Sequence, residues 1–549
     1  MKLITYNTNK KYQTKVAYFS MEFAIDQVFK NYSGGLGFLA GSHLRSANDL
    51  GQNTIGVGIL WSYGYYDQHR HEDRTLKIDF LRKFYYFIEE LDLKVTVLVN
   101  SIPVTVKAYL LPAKCFDTAP LILLSTDVFE NDYLARTITH KLYDANEKTR
   151  IAQEIVLGIG GIKVLDALNE KIDIYHLNEG HALPLAFELL KKYKNLEEVK
   201  KRVVFTTHTP EMAGNEEHNV NLLQEMGFFN GFAVDKIQDM LDYHNDNFSL
   251  TVGALKVAKR ANAVSKIHEK VANDMWRDIK GKCEIIGITN AQNMRYWADK
   301  QLLSWFQEHE DYQLLGRKKH LKKILFEEVA DQTGKLFDPD ILTIVWARRF
   351  AEYKRPWLLT YDMARFRKLV SDTKRPVQII WAGKPYPFDY RAVNMFNDLV
   401  NISKEFKNVA VLIGYELKLS KLLKQGSDIW LNTPRYSREA SGTSGMSAVA
   451  NASVHFSVDD GWHDEFYKDG INSFTIHHAD TNLSIQEQDR QDYENMMKIL
   501  ENEILPTYYE NPKKWIEIVK NGMSDIRYFD SSRMVREYYE KLYDYKTEK

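Results

Sequence analysis

The sequence predicts an α/β chain built from two doubly wound domains in series, and three observations lead there. Short apolar runs alternate with helix-length amphipathic segments, as parallel sheets covered by helices on both faces require. The alternation runs through the first half of the chain and then restarts. At 549 residues the chain is too long for one core and suits two domains.

In chain order, the first-half strand candidates are Val16–Phe23, Asn53–Leu60, Leu121–Val128, Ile172–Gly180 and Arg202–Pro210. Residues 95–113 alternate around Ile102-Pro103 and predict an antiparallel hairpin added to that domain. The segment NEKTRIAQEIVLGIGGIKVLDAL has helical period. Its GIGG, Gly158 to Gly161, lacks the Rossmann spacing and is read as close helix packing. The second half supplies Leu342–Phe350, Val377–Pro385, Asn408–Glu416, Asp428–Tyr436 and Ser453–Trp462. Three polar helical segments then close the chain. The expected division is an N-terminal domain over 1–285, a C-terminal domain over 286–490, and helices over 491–549 that pack back across the domains.

Composition excludes several functional classes. Lys plus Arg is 73 and Asp plus Glu 74, a net charge of −1 with no polybasic run, so no attraction to nucleic acid or an anionic membrane is expected. Two cysteines, Cys115 and Cys283, rule out a disulfide framework and suit a reducing compartment. The start, MKLITYNTNKKYQTK, has no apolar leader core, and no later stretch of about 20 residues stays apolar. The expected location is cytoplasmic. The 32 Tyr and 10 Trp suit sugar-stacking rings as well as a large core.

Ligands of open parallel sheets bind outside the carboxyl ends of the strands. Those ends carry Arg348, Arg349, Lys384, Tyr415, Asn432, Thr433 and Asp460 in the second half, and Asn178, Glu179, His181 and His208 in the first. Polar clusters on two sheets imply facing walls of one site, the GT-B arrangement of sugar-transferring enzymes with a crevice between domains. Three segments suit anions. In EASGTSGMS, Glu439 to Ser447, the small residues Ser441, Gly442, Thr443 and Ser444 let the backbone turn tightly and present N–H groups, with Gly445 completing the turn. NYSGGLG places Gly34, Gly35, Leu36 and Gly37 ahead of a helix. RRFAEYKRP, Arg348 to Pro356, puts four cations behind a buried strand, where they oppose a helix dipole unless an anion binds. The pairs His69/His71 and His208/His218 lack helical spacing around a carboxylate, so no metal is expected.

With lysine in place of Ser447, EASGTSGMS is the pyridoxal phosphate attachment segment of the α-glucan (glycogen and starch) phosphorylases, and this chain resembles their short bacterial type. YFSMEFAIDQ, GVGILWSYGYYDQ, HLNEGH, TTHTP and ITNAQNMRYW extend the resemblance over most of residues 16–475. It implies a retaining α-1,4-glucan phosphorylase-like glucosyltransferase that releases glucose 1-phosphate, with α-glucan and phosphate as its partners. Association as a homodimer is left open. Residue by residue, it implies that Arg349 and Lys354 hold the substrate phosphate, with Tyr353 beside them. Arg348 falls where the cofactor phosphate is contacted, with Ser441, Gly442, Thr443, Ser444, Gly445 and Ser447 around the cofactor. Gly35, Leu36 and Gly37 approach the donor's phosphate, the main chain of His208 lies near the anomeric carbon, and Asn290 and Glu439 meet sugar hydroxyls. Pyridoxal 5′-phosphate is the implied cofactor, but covalent attachment is not expected, because residue 447 is serine and no lysine occurs between Lys424 and Lys468. Two alternatives stand beside this reading: a nucleotide-sugar-dependent glucan synthase and a catalytically silent glucan-binding homologue. The synthases commonly carry a second glutamate eight residues after the first, and eight residues after Glu439 is Ser447.

Overall fold

A computed structural model describes residues 2–544. The chain divides into two compact units. One comprises the chain up to Tyr66, Phe80–Asn290 and the chain from Ser531, and the other comprises Asp67–Asp79 and Ala291–Asp530.

The first unit is built on a nine-stranded sheet. In spatial order its strands are Glu284–Gly287, Arg260–Ala263, Val203–Thr206, Ile174–Asn178, Val16–Phe19, Thr54–Ile59, Leu121–Ser125, Ile102–Leu111 and Glu89–Val99. The seven strands before the last two run parallel, while Ile102–Leu111 and Glu89–Val99 form the antiparallel hairpin expected over 95–113. Its two-residue turn, Asn100-Ser101, has positive φ at both positions, 51° and 62°, which matches the twist of the flanking strands. The Val16–Phe19, Thr54–Ile59, Leu121–Ser125, Ile174–Asn178 and Val203–Thr206 strands are buried throughout, as a parallel sheet covered on both faces demands.

The GIGG segment lies in a continuous helical stretch, Glu147–Ile155, a π turn at Val156–Gly160, and Gly161–Ala167. A Cβ on Gly158 would lie 2.6 Å from the Leu185 nitrogen, and one on Gly161 would lie 2.6 Å from a Phe19 ring carbon. Gly158 thus lets the helix approach the start of helix Pro184–Tyr193, and Gly161 lets it lie on the central strand Val16–Phe19. Helix Ser531–Tyr538 completes the unit from the far end of the sequence: Ser531 Oγ is 2.6 Å from Ser46 Oγ, and Gln52 Nε2 donates to the Val535 carbonyl at 3.1 Å.

The second unit has a wholly parallel six-stranded sheet in the order Val409–Leu412, Val377–Ala382, Leu342–Ala347, Ile429–Asn432, Val454–Val458 and Ser473–Ile476. The excursion Asp67–Asp79 belongs to this unit and caps its strand ends through Gln68. Its Oε1 accepts from the Gly414 and Tyr415 amides at 2.9 and 3.1 Å, and its Nε2 donates to the Gly383 carbonyl at 2.9 Å. Helices Ile485–Ile499 and Pro512–Asp525 pack in this unit. No described helix is long and apolar enough to cross a membrane.

Candidate active site

In the second unit the strand Leu342–Ala347 delivers two arginines to opposite fates, as consecutive residues leaving a pleated strand do. Arg348 turns into the protein and is 5% exposed, while Arg349 faces solvent. Gly383 makes the inward path possible, since at φ 154° any Cβ there would lie 1.9 Å from the Arg348 carbonyl oxygen. Arg348 Nη2 donates to Glu439 Oε2 at 2.8 Å, and Lys354 Nζ reaches both Glu439 oxygens at 2.8 and 3.1 Å. Gly442, at φ 78°, lets the loop fold over this pair, because a Cβ there would lie 3.3 Å from Arg348 Nη2 and 3.1 Å from Glu439 Cγ. Burial alone would raise Glu439, but the Arg348 and Lys354 cations outweigh it and hold the carboxyl below its usual range. Tyr353 flanks the cluster, with Lys354 Nζ 4.9 Å from its ring centre.

The cluster keeps donors in reserve. Arg348 Nε and Nη1 and Ser441 Oγ are buried with no partner among the described residues. A buried donor left unmade costs about 1–3 kcal/mol, so these groups suit an anion that takes up their hydrogens. Ser447 offers nothing comparable. It is fully buried in the short helix Ser444–Val449, and its hydroxyl donates to the Ser444 carbonyl at 3.2 Å. Gly445 is packed against the His455 ring, where a Cβ would lie 2.4 Å from Nε2.

Asp460 underpins the same loop. Its oxygens accept from the Glu439 and Gly461 amides at 3.0 and 2.8 Å, and burial pushes its pKa up to about 7. A carboxyl raised in the folded state contributes stability at acid pH that is lost as pH climbs from 3.8 to about 7. Asp460→Asn should therefore make the stability–pH curve less steep across that window, read from urea midpoints at successive pH values. An unchanged slope would show that Asp460 is not the titrating group.

In the first unit, the glycine turn meets a carboxylate that sequence reading missed. The Glu22 oxygens accept from the Ser33 amide at 2.6 Å, the Gly34 amide at 3.1 Å, the Ser33 hydroxyl at 3.0 Å and the Tyr143 hydroxyl at 2.8 Å. The amides at Ser33 and Gly34 are thus taken from within the protein, while Gly35, Leu36 and Gly37 form the first turn of helix Gly35–Asp49. His208 follows the strand Val203–Thr206 and is fixed twice. Its amide donates to Glu179 Oε1 at 2.5 Å, and its Nε2 lies 2.7 Å from Asn178 Oδ1. Burial lowers its pKa to about 3, so the ring is neutral, and burial raises Glu179 to about 7. Asn290 is buried, with its Oδ1 unpartnered among the described residues.

One group of possible metal ligands occurs among the described residues: ligand atoms of Glu154, Glu216 and His218 lie within 4.8 Å of one another. There the Arg150 guanidinium already pairs with Glu216, and the Glu147 carboxylate with His218.

Residues 288–505 match the family model for carbohydrate phosphorylases, and residues 31–279 match the starch synthase catalytic domain. The uncharacterized protein MJ1631 of Methanocaldococcus jannaschii is 49% identical over 529 residues, covering 96% of this chain and 99% of that one. The maltodextrin phosphorylase of Thermococcus litoralis is 32% identical, covering 98% of this chain and 72% of its own. The glycogen phosphorylase of Aquifex aeolicus is also 32% identical, covering 97% and 86%.

Proposed function

This chain belongs to the carbohydrate phosphorylase family, and from that premise we propose that it transfers a glucosyl unit from the nonreducing end of an α-1,4-glucan to phosphate, with retention. The observation that carries the reading is the buried Arg348–Glu439–Lys354 cluster, two cations on one carboxylate, with unspent donors on Arg348 and Ser441. A protein that only bound sugar would have no use for cations concentrated in this way.

Pyridoxal phosphate is the group the family implies, and the residues present fit its phosphate end: Arg348 supplies the charge, and Ser441 supplies a buried hydroxyl donor. They do not fit its aldehyde end at position 447, where the serine hydroxyl is spent inside the helix. Arg348 and Ser441 would hold that phosphate, which when bound would supply a proton donor and electrostatic partner to the substrate phosphate. The chain's own residues do the rest. Arg349 and Lys354 bind and orient the substrate phosphate, and Glu439 holds Lys354 and Arg348 in position while accepting from sugar hydroxyls.

The starch synthase match over residues 31–279 favours a second reading, transfer from a nucleotide sugar. Serine at residue 447, where such enzymes commonly place a glutamate, weighs against it. The deciding experiment incubates the protein with maltooligosaccharide and phosphate, with and without added pyridoxal phosphate, and measures glucose 1-phosphate. Arg349→Ala should weaken phosphate binding by about 1.5 kcal/mol, roughly tenfold, the lower end for a charge-assisted bond because the side chain is exposed. Unchanged phosphate affinity in that variant would remove Arg349 from the site.

A further inference from the structure

Helix Glu147–Ile155 turns Glu147, Arg150 and Glu154 to one side, because residues three and four apart share a helix face. Two of the three reach the segment that enters strand Glu217–Asn219. Arg150 Nη2 donates to Glu216 Oε2 at 2.5 Å, and His218 Nδ1 donates to Glu147 Oε1 at 2.9 Å. The Leu250 amide fixes the segment further by donating to the Glu216 carbonyl at 3.0 Å. Glu216 and His218 stand two residues apart in extended chain, so they share a side, and Glu217 between them faces solvent.

The third residue of the helix face makes no such bond. Glu154 is fully buried, and neither of its carboxylate oxygens has a hydrogen-bond partner among the described residues. The same holds for His218 Nε2, on a side chain 4% exposed. Ligand atoms of Glu154, Glu216 and His218 lie within 4.8 Å of one another, and His218 Nε2 is 3.4 Å from Glu216 Oε1. Two donors each about 2.1 Å from a tetrahedral zinc ion stand about 3.4 Å apart, so this pair already has the spacing of one edge of that polyhedron. The bond from Nδ1 to Glu147 is the outer contact that orients an imidazole and turns its other nitrogen towards a metal. Buried carboxylates are paired or coordinate metals, and Arg150 bonds to Glu216 rather than to Glu154. Protons compete for the same place. Burial, then Glu216, raises the pKa of Glu154, while burial lowers that of His218 but is outweighed by Glu216 and Glu147, which raise it.

We propose that Glu154, Glu216 and His218 bind one zinc ion, which ties helix Glu147–Ile155 to the segment entering strand Glu217–Asn219. An imidazole with two carboxylates suits zinc, whereas magnesium and calcium favour oxygen donors alone. Three protein donors leave the fourth tetrahedral position to water. Histidine spacing alone predicts no metal, and it could not find this set, because Glu154 comes from a helix far from His218 in the chain.

Zinc binding here is independent of the reaction proposed above, and it is tested without glucan, phosphate or pyridoxal phosphate. The full chain is stripped with a chelator, dialysed and titrated with zinc ion. Bound metal is counted by elemental analysis, and affinity is read by calorimetry. One zinc per chain is expected, with a melting temperature above that of the stripped protein and with magnesium bound far more weakly. Glu154→Gln and His218→Ala should each lose the ion, and His69→Ala should hold it as wild type does. Glu147→Ala should weaken binding at least tenfold through loss of the outer contact. The Glu147 side chain is 56% exposed, so this variant reads the site even if a buried substitution prevents folding, which melting of the stripped proteins establishes. Three results would overturn the proposal: no zinc taken up by the wild type, zinc held at wild-type affinity by Glu147→Ala or by a folded Glu154→Gln, or magnesium bound in preference to zinc.

Discussion

Replacing Arg355 by methionine should destabilise the second unit by about 3–5 kcal/mol, the range for removing one member of a buried ion pair. Arg355 is fully buried. Its Nε and Nη2 donate to the carbonyls of Thr433 and Pro434 at 2.9 and 2.7 Å, and its guanidinium pairs with Asp489 at 2.9 Å and Asp492 at 2.7 Å. Methionine fills similar volume, so the loss reflects stranded acceptors more than a cavity. Arg435 still covers Asp489, at 2.8 Å, which leaves Asp492 as the group exposed by the change. Burial already raises Asp492 against the pull of Arg355. Without the cation it rises further, and a raised carboxyl loses stability as pH increases, so the deficit should be larger at neutral pH than in acid. Urea midpoints at both pH values measure this. A variant within about 1 kcal/mol of wild type would show that the network is not holding the unit together.

Glu439→Gln should lower stability by a similar amount, about 3 kcal/mol, for the opposite reason. Here the anion is lost, and Arg348 and Lys354 are left buried at 5% and 6% exposure facing a neutral amide. The change carries its own rescue. Inorganic phosphate supplies the missing charge, so added phosphate should raise the melting temperature of the variant more than that of wild type. Equal shifts in the two proteins would mean that the cluster is structural and does not receive an anion.

The architecture was legible because parallel strands buried on both faces read as apolar runs, and LTIVWA, VQIIWA and LILLS gave themselves away. Arg260–Ala263, Glu284–Gly287 and Ser473–Ile476 were not read. RANA, EIIG and SFTI are four residues long, too short for a period, and become strands only because a neighbouring edge pairs with them. In the site, the motif residues Arg348, Lys354 and Glu439 were visible, but not that Arg348 turns inward while Arg349 turns out. Glu22, which takes up the Ser33 and Gly34 amides, and Asp460, which anchors the Glu439 amide, act through partners brought near by folding.

Helix Ser531–Tyr538 belongs to the unit that begins at the other end of the chain. A ribosome making this protein therefore completes the second unit's sequence before it supplies the first unit's last helix. Until then, Ser46 and the Gln52 amide await Ser531 and the Val535 carbonyl, and the groove that helix covers is open to whatever else is near. The order of synthesis runs against the order of assembly. The first unit is begun before the second and finished after it, so a chaperone that holds nascent chains has the longer task on the first unit.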